Sequence, residues 1–132
     1  MATGYIVFAH GSRLEEANAA VRRVAADLAR AGGFALVETA FLDCTPPDLK
    51  TAVGELARRG AKRIVVLPYF LTLGRHAAED LPRIVEEISR IYPGVRVQIA
   101  PGLEGHPALV EALLDRARAC TEGHSEERGA EG

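Results

Sequence analysis

Apolar runs and longer amphipathic stretches alternate along the chain. The apolar runs at residues 5–9, 34–42, 61–71 and 95–100 predict strands. The stretch 13–33 carries apolar residues at helical spacing, and the other predicted helices are 46–60, 76–94 and 105–120. Because the strands are near-continuous apolar runs that alternate with helices, the pattern predicts a parallel sheet that helices cover on both faces. The predicted fold is α/β, a single flavodoxin-like lobe whose four-stranded parallel sheet has the order 2-1-3-4.

Composition limits the class of protein. The 132 residues fit one domain, predicted as residues 1–120, and the polar stretch 121–132 predicts a disordered tail. A net charge of -2 and the absence of Trp argue against a nucleic-acid partner. No apolar run approaches the roughly 20 residues that span a bilayer, and no signal peptide is expected. Cys44 and Cys120 form no paired motif, which favours a reducing, cytoplasmic location.

Polar side chains follow three of the predicted strands at the point where each strand ends. His10 follows the first strand, Asp43 the second, and His76 comes after the loop that leaves the third. In the order 2-1-3-4 these strands are neighbours, and ligands of open α/β sheets bind beyond the carboxyl ends where the strand order reverses. Two imidazoles and a carboxylate suit a divalent metal such as Co, Ni, Fe or Zn. A histidine there can alternatively accept a proton.

Basic residues and a helix start accompany the histidines. Arg13 lies three residues after His10, and Arg75 directly precedes His76. Gly11 and Ser12 are expected to open the first helix, where free backbone N–H groups favour anions. The same edge of the sheet is therefore predicted to hold a metal and an acidic ligand.

Each of these residues also has an ordinary structural interpretation. A histidine at a strand end is commonly a polar residue satisfied by its surroundings. Asp43 can be a cap or turn residue, and the arginines can be solvated. His106 lies near a predicted helix start and is expected to be structural. Nucleotide binding has no support, because neither G-x-x-x-x-G-K-[ST] nor G-x-G-x-x-G is present.

Three segments together resemble a known family. "HGSR" after the first strand, "ETAFLDCTPPDL" around the end of the second and "LPYFLTLGRHAAEDLP" after the third resemble the small sirohydrochlorin chelatases of the CbiX type, over residues 4–120. The resemblance implies a class II chelatase lobe, a lyase that inserts a divalent metal into sirohydrochlorin without ATP. Cobalt is favoured, within cobalamin and porphyrin-type biosynthesis, with the metal as substrate and no permanently bound cofactor. Small members of the family form homodimers, so a homodimer is implied as well.

The resemblance also implies roles for individual residues. His10 and His76 would hold the incoming metal, and His10 would also accept a proton. Relatives often have glutamate where this chain has Asp43, whose shorter side chain would coordinate the metal, act through water or assist proton transfer. The implied substrate contacts are Ser12, Arg13, Pro46, Phe70, Leu71, Thr72, Leu73, Gly74 and Arg75.

Other activities fit the same residues. The enzyme could insert Fe²⁺ or Ni²⁺ instead, because affinities for these metals follow a similar order across such sites. A non-enzymatic carrier of metal or tetrapyrrole on the same fold is an alternative of another class. A metal-assisted hydrolase is a third, since two histidines and an aspartate can also activate water.

Overall fold

A computed structural model describes the backbone of residues 2–131 and the side chains of residues 2–75 and 77–121. The chain forms two compact units, one up to Gly102 and one from Leu103 onwards. The first unit contains the whole sheet and three helices, and the second contains the last helix. Among the described residues, no helix has an apolar stretch long enough to cross a membrane.

The sheet confirms the predicted topology. Its strands pair in parallel, in the order β2-β1-β3-β4. They are β1 (Thr3–Ala9), β2 (Val37–Phe41), β3 (Arg63–Pro68) and β4 (Arg96–Ile99). β2 and β3 are shorter than the apolar runs that predict them, residues 34–42 and 61–71. The extra apolar residues belong to loops, and those that follow β3 border the candidate site.

Helices of the first unit cover both faces of the sheet, as predicted. They are α1 (Glu15–Gly32), α2 (Leu49–Arg58) and α3 (Arg75–Ile91), and the second unit contains α4 (Pro107–Glu131). α2 and α3 pack on the face that carries Ile6, Phe8 and Val66, and together they form the main apolar core. Alternate residues of a strand point to opposite faces, so Val7 and Thr39 lie on the other face, beside α1.

The main core is made of tightly buried aliphatic side chains. Ile6, Leu56 and Ile64 are fully buried, and burial of each such side chain contributes about 1.5–3 kcal/mol. This core holds the carboxyl ends of β1 and β3 in fixed positions. The residues that follow them therefore emerge from a rigid base.

The starts of α1 and α2 differ from the sequence prediction. α1 begins at Glu15 rather than residue 13, since residues 11–14 form a separate turn stabilised by side-chain hydrogen bonds. The two prolines precede α2 instead of opening it, because Asp48 takes the cap position. The Pro46–Pro47 bond is cis. Pro82 lies in the interior of α3, where its missing N–H removes one bond of the helix ladder.

The predicted boundary at residue 120 stays a prediction. α4 extends over Pro107–Glu131, past that boundary. The side chains of residues 122–131 lie outside the described part of the structure, and the predicted disordered tail falls mainly on these residues.

Asp48 provides a test of how α2 is anchored. Its carboxylate accepts a hydrogen bond from the Thr51 N–H at 2.9 Å, and bonds from the Thr51 side chain and N–H lower the pKa of Asp48. Asp48→Ala should therefore cost about 1 kcal/mol of stability near neutral pH. A lowered pKa in the folded state means that this contribution is present above about pH 4 and is lost as the pH falls further.

Urea unfolding of the wild type, Asp48→Ala and Asp48→Asn at neutral and strongly acidic pH measures this effect. Asparagine also caps helices, so Asp48→Asn should stay close to the wild type at neutral pH. The gap between the wild type and Asp48→Ala should shrink in acid. A gap of equal size at both pH values would contradict the role assigned to the carboxylate.

Candidate functional site

His10 lies directly after β1, with its side chain exposed at the carboxyl edge of the sheet. The Leu42 N–H donates to the Ala9 carbonyl, and the Asp43 N–H donates to the His10 carbonyl, each at 2.9 Å. These two bonds continue the pairing of β1 with β2 beyond the strand ends. The backbones of His10 and Asp43 are therefore joined directly, as the predicted strand order requires.

Gly11 turns the chain away from the sheet immediately after His10. Its φ of 94° lies in the left-handed region that favours glycine. A Cβ atom on Gly11 would lie only 1.9 Å from the Asp43 carbonyl oxygen. This close contact explains why the position after His10 has no side chain, and it locks the His10 loop against the Asp43 loop.

Ser12 is held by Asn18, a residue that the sequence analysis did not single out. The Ser12 N–H donates to the Asn18 Oδ1 at 2.9 Å, and the Asn18 Nδ2 donates to the Ser12 carbonyl at 2.8 Å. The Ser12 Oγ accepts from the Leu14 N–H at 3.0 Å. One sequence feature could have pointed to Asn18: it is a single asparagine on the Ala-rich face of α1. An amide buried on that face requires hydrogen-bonding partners.

The expectation that Ser12 opens an anion-binding helix terminus needs correction. α1 begins three residues later, and its first turn carries Glu15 and Glu16. The Ser12 and Leu14 N–H groups are already bonded to side chains. Ser12 as a substrate contact stays a prediction, but the backbone donors that motivated it are engaged within the loop.

Asp43 belongs to a tight turn after β2. Its Oδ1 accepts from the Cys44 N–H at 2.8 Å, and its carbonyl accepts from the Thr45 N–H at 2.9 Å. Cys44 has a φ of 72°, and the Pro47 carbonyl returns to accept the Phe41 N–H. The turn interpretation of Asp43 is thus confirmed, while its predicted role toward a metal stays a prediction.

The loop between β3 and α3 emerges beside His10. The Tyr69 N–H donates to the Phe8 carbonyl at 2.7 Å, and the Phe70 ring packs edge-on against Phe8 with centroids 6.1 Å apart. Leu71 projects from this anchor with 69% of its surface exposed. Gly74 caps α3, and a Cβ atom there would meet nothing within 4 Å, so the loop is open to a close approach.

The structure joins two of the three predicted ligands, His10 and Asp43, through their backbones. The loops with His10 and Asp43 adjoin, and His76 lies in the first turn of α3, after the loop anchored to β1. The side chain of His76 is outside the described residues, so its predicted pairing with His10 is untested. Among the side chains that the structure describes, no group of three His, Cys, Asp or Glu residues could hold a metal ion.

The other predicted substrate contacts on the loops at the carboxyl edge of the sheet include three exposed residues. Arg13 is exposed, and exposed Arg75 has its Nε 3.8 Å from Glu79. Pro46 is exposed in the turn that follows Asp43. His106 behaves as expected of a structural residue, since its Nδ1 accepts the Ala108 N–H at 3.0 Å at the start of α4.

Comparison with protein families identifies the chain. The family described as CbiX matches residues 4–120, nearly the whole length. The chain belongs to the CbiX family. The likeness therefore covers every strand and every loop of the candidate site.

Known proteins with the CbiX fold or sequence differ in length. A chloroplastic sirohydrochlorin ferrochelatase of Arabidopsis thaliana is 32% identical over 96% of this chain, which spans only 57% of the plant protein. A sirohydrochlorin cobaltochelatase of Sulfolobus acidocaldarius is 31% identical over 86% of this chain and 89% of its own length. The crystal structure of a CbiX protein of Marinobacter aquaeolei superposes with a TM-score of 0.79 at 25% identity, covering 91% of this chain and 98% of that chain.

Proposed function

We propose that this CbiX protein is a sirohydrochlorin chelatase, which inserts a divalent metal into the macrocycle without ATP. The observation that carries the proposal is the exposed His10 imidazole at the carboxyl edge of β1, where the strand order reverses. Both the plant and the archaeal relatives are named as sirohydrochlorin chelatases. The plant relative is much longer than this chain, and its name describes the longer protein. The activity is therefore a proposal for this chain.

The chemistry requires few groups, and the proposed site supplies them. Insertion replaces two pyrrole N–H protons by metal–nitrogen bonds, so the site has to release metal-bound water and accept protons. Imidazole meets both requirements near neutral pH. It can take the place of water on a divalent metal, and it can take up a proton. We assign metal delivery to His10 and His76, and proton acceptance to His10. Asp43 would assist through water, because its Oδ1 already accepts the Cys44 N–H.

The surroundings of His10 suit a flat macrocycle with carboxylates at its periphery. The exposed apolar side chains Leu42, Tyr69 and Leu71 follow β2 and β3 at the same edge of the sheet. A large apolar surface left open is typical of a ligand-binding face. Arg13 and Arg75 are exposed and could form bidentate bonds with the carboxylates. The open approach at Gly74 would let the ring lie close to the loop, against Phe70, Thr72 and Leu73.

Cobalt is the metal that we propose. The Sulfolobus relative, which this chain nearly matches in length, is named as a cobaltochelatase, whereas the longer plant relative is named as a ferrochelatase. Imidazole and carboxylate ligands do not separate Co²⁺ from Fe²⁺ or Ni²⁺ by affinity alone. A cobalt preference would therefore come from the rate of insertion rather than from binding strength.

Initial rates of insertion into sirohydrochlorin test the proposal directly. Anaerobic reactions with Co²⁺, Fe²⁺ or Ni²⁺ are followed by the visible spectrum of the macrocycle, with and without protein. We expect acceleration above the protein-free rate, and the largest acceleration with Co²⁺. Acceleration with Fe²⁺ alone would overturn the cobalt assignment and keep the chelatase, whereas no acceleration with any metal would refute the proposed function.

A homodimer in the cytoplasm completes the proposal. The chain spans 57% of the plant relative, so a second copy could supply the surface that a longer chain provides for itself. α4 leaves Val110, Leu113 and Leu114 exposed, which is unusual for a helix of an isolated subunit. Light scattering decides the oligomeric state: a monomeric mass at assay concentrations would exclude the dimer.

A further inference from the structure

Asn18 and Thr39 are the two buried polar residues among the side chains that the structure describes, and Asn18 is linked to the His10 loop. Its side chain retains only 3% exposure, on the face of α1 that also buries Ala25. Burying an amide costs free energy unless its donor and acceptor both find partners. Both partners here belong to one residue, Ser12, whose N–H and carbonyl bond the two ends of the amide.

The two bonds restrain the backbone next to His10. A residue that is held at both its N–H and its carbonyl cannot rotate without breaking one of these bonds. Ser12 is therefore fixed relative to α1, while the preceding Gly11 is fixed against the Asp43 carbonyl. His10 lies between this clamped turn and the end of β1, so its backbone is restrained from both sides.

Helix capping does not explain this arrangement. The N-cap position of α1 is Leu14, and Asn18 lies four residues further on, inside the helix. Its amide reaches back six residues along the chain to bond Ser12. Asparagine is a poor choice for a buried helix position on propensity alone, where alanine or leucine would be more stable. The two hydrogen bonds to Ser12 offset the free-energy cost of burying the Asn18 amide.

We propose that Asn18 is a positioning residue for metal insertion: its buried amide clamps Ser12 and so holds the His10 imidazole in the direction that meets the metal. The inference rests on the proposed chelatase function, in which His10 contacts the metal and Asn18 does not. Direct hydrogen-bond partners of metal-binding side chains typically change metal affinity or activity about 10- to 100-fold when they are removed, and Asn18, which acts through Ser12, is expected at the lower end of that range.

Asn18→Leu removes both hydrogen bonds and keeps a side chain of similar size. If Asn18→Leu does not fold, Asn18→Ala is used as the test variant instead. Ala25→Gly is the matched control, because it perturbs the same buried face of the same helix two turns away. Three measurements are made under conditions in which every protein is fully folded. They are the hydrogen exchange rate of the Ser12 amide, the Co²⁺ affinity from a visible absorption titration without macrocycle, and the steady-state kinetics of insertion.

In Asn18→Leu we expect faster Ser12 exchange and Co²⁺ affinity weakened about 10-fold or more, with Ala25→Gly close to the wild type. In turnover, kcat should fall while KM for the macrocycle changes little. Unchanged Ser12 exchange, or equal loss of Co²⁺ affinity in both variants, would overturn the inference. A wild type that accelerates insertion of none of Co²⁺, Fe²⁺ and Ni²⁺ would refute the proposed function instead, and Ser12 exchange would then still decide whether the clamp exists.

Discussion

Replacing His10 by alanine is expected to lower the rate of metal insertion about 100-fold or more, the usual contribution of a positioned proton acceptor. The loss should be larger still because metal delivery is also assigned to His10. His10 is exposed at the end of β1, and its side chain supports no part of the core. The free energy of unfolding should therefore change by no more than about 0.5 kcal/mol.

His106→Ala is the control for this experiment. His106 is also an exposed histidine, but it bonds the Ala108 N–H at the start of α4. Its loss should weaken that helix end slightly and leave the rate of insertion nearly unchanged. Steady-state rates with Co²⁺ and sirohydrochlorin compare the two variants. Equal losses of activity would contradict the placement of the site at the end of β1.

Gly11→Ala is the substitution with the largest expected effect on the fold near the site. The new Cβ would lie 1.9 Å from the Asp43 carbonyl oxygen, so one of the two loops has to move. A left-handed backbone costs alanine about 1–2 kcal/mol, and overpacking typically adds about 1–3 kcal/mol. We expect a loss of roughly 3 kcal/mol in stability, measured by urea unfolding, together with loss of activity.

Gly60→Ala separates the backbone cost from the steric clash. Gly60 has a φ of 102°, close to that of Gly11, but a Cβ atom there would meet nothing within 4 Å. Gly60→Ala should therefore lose only the 1–2 kcal/mol of the left-handed backbone, about half the loss at Gly11, and keep its activity. If the two variants lose the same stability, the contact between Gly11 and Asp43 is not the constraint described above.

The topology was predictable because it depends on pattern rather than on individual contacts. Alternating apolar runs and helical stretches are sufficient to predict a parallel sheet, and the order 2-1-3-4 follows for a flavodoxin-like lobe. That order brings the ends of β1, β2 and β3 together, which is why His10 and Asp43 could be placed at one edge. Strand lengths were less predictable, because the apolar residues after β3 serve the loop instead of the sheet.

The local geometry of the site could not be derived in the same way. The start of α1 depends on which N–H groups the Asn18 amide and Ser12 hydroxyl engage, and propensity alone does not show this. The close contact at Gly11 depends on the turn at Asp43, more than 30 residues away in sequence. Asn18 itself was missed because an asparagine among alanines shows no periodic signal, and its function becomes visible only through the two bonds to Ser12.

The central claim is that this chain catalyses metal insertion rather than carrying a metal or a macrocycle. Its most direct test is the amount of metallated product formed per subunit, with sirohydrochlorin and Co²⁺ both in large excess and a protein-free reaction run in parallel. We predict product that keeps accumulating well beyond one molecule per subunit, faster than without protein. Product that stops at a single molecule per subunit, or that forms only at the protein-free rate, would contradict the account.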